Sequence, residues 1–151
     1  MLTWRFARFD DLTAREVHDV CQLRAAVFVV EQDCPFQDLD GADPESWHLL
    51  GMKGGALVAY ARFVPAGIKF AEPSIGRVIT AESVRGTGLG RLLMKEAIAR
   101  SDALWPGKPV RIGAQHRLER FYQSVGFVTA SEPYIEDGIP HVEMLRTGTK
   151  S

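Results

Sequence analysis

The sequence predicts a single α/β domain, spanning residues 1–151, in which helices flank a mixed β-sheet. Two observations lead to this prediction. Short apolar stretches of strand character alternate with segments of helical periodicity, in the order β-α-β-β-β-α-β-α-β-β. The 151 residues also contain no repeat, low-complexity tract or interdomain linker, and they suffice to bury one core.

The first third of the chain is predicted to hold a strand, a helix and a long loop. Residues 3–9 alternate as a strand does, and Thr13 with Glu16 forms a capping box that opens a helix reaching about Val29. Residues 31–45 are rich in Asp, Pro and Gly, which is typical of a loop. Because this loop exceeds the usual connection of about 4–6 residues, we interpret it as a candidate functional loop.

The later elements follow from the same patterns. Trp47–Lys53 and Ala56–Val64 are predicted to form a hairpin, since Gly54 and Gly55 suit a tight turn. The remaining predicted elements, in chain order, are a strand at residues 75–80, a helix from about residue 89 to 102, a strand at 110–114, a short helix at 118–125, and strands at 127–130 and Ile139–Arg146.

Composition and charge limit the classes of partner that we expect for the protein. Eighteen basic residues balance nineteen acidic ones, so the net charge of −1 gives no reason to expect nucleic acid or an anionic membrane. No apolar run approaches the roughly 18 residues that span a bilayer, and the N-terminus lacks the layout of a signal peptide, so we expect a cytoplasmic location. Cys21 and Cys34 lack the spacing of a zinc site, and no metal is expected.

A glycine-rich turn precedes the second predicted helix. In Arg85-Gly86-Thr87-Gly88-Leu89-Gly90 the glycines remove side chains, so successive backbone amides can converge on an anion. The helix start adds unpaired amides and the positive end of its dipole, and Arg85 supplies charge. The segment lacks the lysine of a Walker loop and the glycine spacing of a Rossmann turn. We therefore predict a phosphate or pyrophosphate site; the alternative is a turn without a ligand.

The same turn carries a resemblance to a known family. Arg85-x-x-Gly88-x-Gly90 resembles the acetyl-CoA motif of the Gcn5-related N-acetyltransferases, the GNAT superfamily, and the likeness extends to Phe121-Tyr122-x-x-x-Gly126-Phe127. Within that superfamily the chain is most similar to the ElaA-type group. The narrower likeness lies in Leu23-Arg24-x-x-Val27-Phe28-Val29-Val30-Glu31-Gln32, Cys34-Pro35, Asp40-Gly41, Gly113-Ala114-Gln115 and Gly138-Ile139-Pro140-His141.

The resemblance implies a GNAT fold, with a mixed and mostly antiparallel sheet flanked by helices, and acetyl-CoA as co-substrate. In such folds the pyrophosphate lies on the turn amides, and the pantetheine arm pairs with the preceding strand as an added strand would. The residues thereby assigned to the donor are Val78, Ile79 and Thr80 along the pantetheine, and Arg85, Gly86, Thr87, Gly88, Leu89, Gly90 and Arg91 around the pyrophosphate.

The implied reaction is direct transfer of an acetyl group to a primary amine on a small molecule or peptide. Tyr122 is the implied general acid for the departing thiolate; the alternative is a core aromatic, because Tyr122 shares a stripe with Leu118 and Phe121. A base should deprotonate the amine. His141 and Glu31 lead the candidates, which also include Asp38, Asp40, His48, Glu72, His116 and Glu143.

The sequence leaves several alternatives open. The enzyme could use a longer acyl group or another acceptor atom, or the chain could be a non-catalytic acyl-CoA sensor. Asp38, Asp40 and Asp43 either gather a cationic amine or form a solvated loop with Asx turns. The calcium-loop pattern is incomplete and is rejected. A homodimer through an edge strand is compatible with the pattern but is not fixed by it.

Overall fold

Eight strands form one mixed sheet in the computed structural model, which describes residues 1–148. The strands are, in chain order, β1 (Leu2–Arg8), β2 (Trp47–Lys53), β3 (Ala56–Val64), β4 (Ser74–Thr80), β5 (Val110–Gln115), β6 (Val128–Thr129), β7 (Tyr134–Glu136) and β8 (Ile139–Arg146). Their spatial order is β1-β2-β3-β4-β5-β8-β6, and β7 also pairs with β8. Every pair is antiparallel except β4–β5, so the predicted mixed and mostly antiparallel sheet is confirmed.

Three helices pack beside this sheet: α1 (Ala14–Arg24), α2 (Leu89–Leu104) and α3 (Glu119–Ser124). The predicted capping box opens α1, because the Thr13 hydroxyl accepts from the Glu16 amide at 3.1 Å and the Glu16 carboxylate accepts from the Thr13 amide at 2.8 Å. A π-helical segment, Ala25–Glu31, continues α1 beyond the predicted end at Val29. Within residues 1–148, no helix is long and apolar enough to cross a membrane.

The sheet has a core on each face. Leu49 and Leu50 are neighbours on β2 and point to opposite faces, as strand alternation requires. Leu49 belongs to the larger cluster, in which α2 contributes Leu93 and Met94. Leu50 belongs to a smaller cluster with Val20 of α1. The helices therefore cover both faces of the central strands.

The C-terminal part of the chain holds one strand more than predicted. Residues 127–130 shorten to the two-residue strand β6, and β7 is a strand that the prediction missed. Asp137 and Gly138 join β7 to β8 with φ angles of 51° and 76°. Positive φ at both central residues is the condition for a two-residue hairpin turn, and Asp-Gly is a strong sequence signal for it. The signal was present in the sequence, but β7 is only three residues long.

The parallel strands β4 and β5 separate along their length. In the described part of the chain they pair at Ser74 and Arg111 alone, and the Arg111 amide donates to the Pro73 carbonyl at 3.0 Å. Beyond this point Ile79 and Thr80 keep pairing with β3 on their other side, but β5 no longer reaches them. The sheet therefore opens into a wedge-shaped cleft between β4 and β5.

Candidate active site

The cleft between β4 and β5 has a volume of about 440 Å³. Val78, Ile79 and Thr80 line one wall, and Ala114 with Gln115 of β5 lines the other. Among residues 1–148, the edge of β4 that faces the cleft has no strand partner at these positions. A free strand edge presents backbone donors and acceptors that an extended ligand can pair with.

The residues predicted to bind the donor follow this cleft and its mouth. Val78, Ile79, Thr80, Arg85 and Gly90 line it directly. The others form the turn between Arg85 and Gly90 or the first turn of α2: Gly86, Thr87, Gly88, Leu89 and Arg91. The Leu89 side chain is buried in the core, so only its backbone is available to a ligand there.

The glycine-rich turn is built so that its amides stay free. Gly86 and Gly88 have φ angles of 81° and 84°, a region that side chains with a Cβ rarely adopt. Among the described residues, no carbonyl or side chain accepts from the amides of residues 86–91. Gly88 caps α2 without a side chain, which leaves the positive end of the helix open. The turn thus offers unpaired N–H groups to an anion.

Tyr122 stands on α3 in the wall of the cleft. Its ring is 7% exposed and meets Phe121 and Phe127 edge-on, with centroids 5.3 and 5.9 Å away. In the described part of the chain the Tyr122 hydroxyl has no hydrogen-bond partner. It still keeps some accessible surface, because Arg62 Nε is the one side-chain N or O atom there that is both fully buried and without a partner. The hydroxyl therefore opens to the cleft. Burial raises the pKa of Tyr122 to about 12, so the phenol is protonated at neutral pH.

His141 lies at the start of β8 and also lines the cleft. Its Nδ1 is 2.7 Å from the Ile139 carbonyl, and the ring stacks on Tyr134 with centroids 5.9 Å apart. Because a carbonyl only accepts, Nδ1 carries the proton, and Nε2 of the neutral ring keeps its lone pair. The Glu136 carboxylate is 3.8 Å from Nε2. These contacts hold the imidazole in one orientation in the wall of the cleft.

Glu31 closes the helical segment after α1 and lines the same cleft. Both of its carboxylate oxygens accept from Arg85, one of them at 2.9 Å. The hydrogen bond from Arg85 lowers the pKa of Glu31, which weakens this carboxylate as a base while the pair is intact. The pair spans the mouth of the cleft, from the end of the π-helical segment to the glycine-rich turn.

A sequence model of the acetyltransferase (GNAT) domain matches residues 16–147. The protein ElaA of Escherichia coli is 45% identical over 148 residues, with 97% of each chain covered. The chain belongs to the GNAT family.

Solved structures of GNAT proteins superpose on the whole domain. The E. coli ElaA crystal structure matches with a TM-score of 0.91 and 44% identity, covering 97% of this chain and 99% of that one. An acyl-CoA N-acyltransferase from Pseudomonas aeruginosa matches with a TM-score of 0.93 and 40% identity, covering 97% and 100%. The predicted GNAT fold and likeness to the ElaA-type group are thereby confirmed. Membership of the GNAT family implies acyl transfer from acyl-CoA.

Most candidate bases lie away from the GNAT cleft. Of the eight considered, Glu31 and His141 line it. Glu72 and Glu143 both hold Arg111, and exposed His116 is 3.5 Å from Glu119. The other three belong to a buried group of charges: Asp38, Asp40 and His48.

The acidic loop does not present its carboxylates to an amine. Arg24 donates to Asp38 at 3.0 Å and to Asp43 at 2.7 Å, and Arg62 donates to both oxygens of Asp40 at 2.8 and 3.0 Å. The hypothesis that these aspartates gather a cation is therefore wrong, because arginines already occupy them. One part of the alternative, a solvated loop with Asx turns, is present: Asp40 accepts from the Ala42 amide at 3.1 Å in an Asx turn. Arg24 was visible in the sequence as a charge within an apolar helical stripe.

Sequence reasoning missed several residues of the GNAT cleft. Arg77 lines it from a bulge in β4, where the register with β3 shifts and φ reaches 51°. Phe28 and Phe36 lie beside Arg77. Gly113 lets Tyr134 approach β5, since a Cβ there would be 3.2 Å from the Tyr134 hydroxyl. A bulge leaves no pattern in a single sequence, so no signal marked Arg77.

Proposed function

We propose that this chain transfers an acetyl group from acetyl-CoA to a primary amine. One observation carries the proposal: the unpaired edge of β4 connects the open amides of the glycine-rich turn to the hydroxyl of Tyr122. An extended arm paired with Val78, Ile79 and Thr80 would run from an anion at the turn into the cleft. Arg85 and Arg91 would flank that anion, and Arg91 also lies over the Phe121 ring at 5.8 Å.

The chemistry assigned to the side chains is direct attack on the thioester. The amine nitrogen forms the new C–N bond while the C–S bond breaks. His141 Nε2 takes the proton from nitrogen, and the Tyr122 hydroxyl gives one to the departing thiolate. Glu31 is the second candidate base, available once Arg85 turns from it to the anion. A backbone amide of β4 would polarise the carbonyl.

Two measurements test this proposal. Calorimetric titration should show binding of both acetyl-CoA and CoA, and the absence of binding would refute the donor site. Thiol release over a panel of amino acids, amines, peptides and aminoglycosides should then rise above solvent hydrolysis for some acceptor. Binding without any acceptor-dependent release would favour an acyl-CoA sensor. Titrating longer acyl-CoA thioesters in parallel tests the preference for acetyl.

A pair of matched variants distinguishes between the two candidate bases, His141 and Glu31. We expect His141→Gln to lower kcat about 10²-fold, the size of a general-base contribution. Glu31→Gln should leave kcat near the wild-type value. The reverse result would transfer the base role to Glu31.

A further inference from the structure

The acceptor end of the cleft contains a guanidinium that neither the donor site nor the acid–base pair uses. Arg77 lines the cleft and directly precedes Val78 on β4. If the pantetheine arm runs from the turn along Thr80 to Val78, the acyl group lies beside Arg77. The role assigned to Arg77 therefore rests on the proposed function.

Hydrogen bonds through two nitrogens hold the Arg77 guanidinium in a fixed orientation, and its third nitrogen takes part in none of them. Its Nε donates to Asp38 Oδ1 at 2.9 Å, and its Nη2 donates to the Asp38 carbonyl at 3.1 Å and to Asp40 at 3.3 Å. The rings of Phe28 and Phe36 lie 5.9 and 5.6 Å from the guanidinium carbon. Within residues 1–148, Nη1 has no partner, and the side chain keeps 21% of its surface exposed. Two donor hydrogens are therefore available to a ligand.

The charges around Arg77 leave room for an anion. The cluster joins Arg24, Arg62 and Arg77 to three carboxylates, Asp38, Asp40 and Asp43, and the exposed Lys69 adds a fourth cation at Asp40. With Lys69 counted, the cluster carries one positive charge more than its carboxylates balance. Burial lowers the pKa of Arg77, and the positive charge of Arg62 lowers it further. The carboxylates of Asp38 and Asp40 raise it in part. A carboxylate bound to Arg77 would compensate for the burial of its charge and for the repulsion by Arg62.

The other side of the cleft carries the opposite charge. His141 lies on β8, which is separated from β4 by β5, and Glu136 and Asp137 line the cleft next to it. Both acidic side chains are exposed. An ammonium group is attracted to this side and a carboxylate to Arg77, so the cleft is suited to a ligand with both charges.

We propose that the acceptor is an amino acid, an amine with a carboxylate on the adjacent carbon, and that Arg77 Nη1 binds this carboxylate. Arg77 is then the residue that sets acceptor specificity. The carboxylate at Arg77 directs the amine toward the acyl carbon and toward His141. Phe28 and Phe36 provide apolar surface for the side chain of the acceptor.

The experiment compares amino acids with the amines that lack only the carboxylate: phenylalanine with phenethylamine, tyrosine with tyramine, and lysine with cadaverine. For each pair we expect kcat/KM to be at least about tenfold higher for the amino acid, as a charge-assisted hydrogen bond supplies. Arg77→Gln should reduce this ratio to near one, and Arg77→Lys should restore part of it. Arg100→Gln, which breaks a distant ion pair with Glu96, should leave the ratio unchanged.

Several outcomes would overturn the proposal. Equal turnover within the wild-type pairs removes the carboxylate site. An equal loss for both members of a pair in Arg77→Gln would mean that Arg77 acts on the thioester carbonyl instead. Should that variant fail to fold, the wild-type pairs and Arg77→Lys decide.

The carboxylate site can also be tested without turnover. If no acceptor releases thiol, the transferase proposal fails, and calorimetry on the CoA-saturated protein then decides the carboxylate site. Phenylalanine should bind at least about tenfold more tightly than phenethylamine. Equal affinity, or no binding by either, overturns the inference.

Discussion

At the residue scale, Tyr122 combines a buried ring with a hydroxyl that opens to the cleft. The aromatic contacts with Phe121 and Phe127 fix the ring and do not need the hydroxyl. The sequence leaves two interpretations of Tyr122 open, core aromatic and general acid, and they concern different atoms of one side chain. The buried ring fits the first, and the general-acid role of the hydroxyl stays a prediction. Removing the oxygen alone separates them.

We predict that Tyr122→Phe lowers kcat about 10²-fold, the size of a general-acid contribution, and leaves the Kd for acetyl-CoA unchanged. The ring packing is retained, so the melting temperature should stay within a few degrees of wild type. Steady-state thiol release, calorimetry and thermal unfolding measure the three quantities. A variant with wild-type kcat would exclude Tyr122 as the acid.

His48 is a buried histidine whose partners fix its protonation. Its Nδ1 lies 2.6 Å from the Tyr60 hydroxyl, and its Nε2 lies 3.0 Å from the Asp43 carbonyl. The carbonyl only accepts, so Nε2 carries the proton and Nδ1 accepts from Tyr60. Burial lowers the pKa of His48 below the ordinary 6.5, and the Asp43 carbonyl only partly opposes this.

The lowered pKa of His48 predicts acid sensitivity of the fold. Above about pH 6.5 both folded and unfolded His48 are neutral, and its full contribution to stability is present. As the pH falls below that value the unfolded chain binds the proton first, so the free energy of unfolding decreases. Urea titrations between about pH 7 and 5 should show a shallower decrease for His48→Gln than for wild type. The exposed His18→Gln is the matched control and should follow wild type.

At the element scale, the buried charge cluster ties α1 and the loop after the π-helical segment to two neighbouring strands of the sheet. Arg24 belongs to α1, Arg62 to β3 and Arg77 to β4, and the loop after the π-helical segment supplies the aspartates. Burial alone would raise the pKa of Asp43, but hydrogen bonds from Arg24 and Arg62 lower it below the usual value. Asp43 therefore stays ionised, and the long loop is tied to the sheet at several points.

We predict that Arg24→Met lowers the free energy of unfolding by about 3–5 kcal/mol, because Asp38 and Asp43 would stay buried and each would lose one of its two arginine partners. Arg24 is 1% exposed, so water cannot replace it without rearrangement. Arg24→Lys should lose less, since one charge remains. Arg15→Met, at an exposed position of α1, is the control and should change stability by less than about 0.5 kcal/mol. Equal losses at both positions would show that the cluster adds nothing.

At the scale of the whole molecule, the cleft exists because β4 and β5 meet at only one end. Arg111 strengthens that end, since its Nε and Nη2 donate to Glu72 at 3.1 and 3.2 Å and its Nη1 donates to Glu143 at 2.9 Å. Glu72 precedes β4 and Glu143 lies on β8, so one guanidinium joins both walls. We therefore expect the spacing of the walls to depend on this contact.

We predict that Arg111→Gln weakens acetyl-CoA binding severalfold and lowers the free energy of unfolding by about 1–3 kcal/mol, the range for lost charged hydrogen bonds. Hydrogen exchange should rise in the peptide that covers residues 74–80. Arg100→Gln, which removes an ion pair on α2 and a contact with the Phe6 ring, is the control for acetyl-CoA binding. Arg15→Met, at the exposed position of α1, is the control for stability. If acetyl-CoA binds the Arg111 variant as tightly as wild type, the junction does not set the width of the cleft.

The sequence predicted the elements well where periodicity is long, as in α2, and poorly where an element is short, as in β7. It marked the donor turn because glycines and a helix start are local features. It did not mark Arg77, Phe36 or the role of Arg111, because these depend on residues that lie more than thirty positions apart in the chain. The acidic loop was misread for the same reason: its arginine partners come from other elements.

The sequence by itself determined the fold class, the family likeness, the glycine-rich turn and the position of Tyr122, since each depends on neighbouring residues or on a contiguous motif. Only the tertiary structure decided which acidic side chains pair with arginines and which line the cleft. Burial beside Arg24 and Arg62 occupies Asp38, Asp40 and Asp43, whereas Glu136 and Asp137 reach the cleft. It also decided where the cleft opens, because strand separation follows from how β4 and β5 pair in three dimensions.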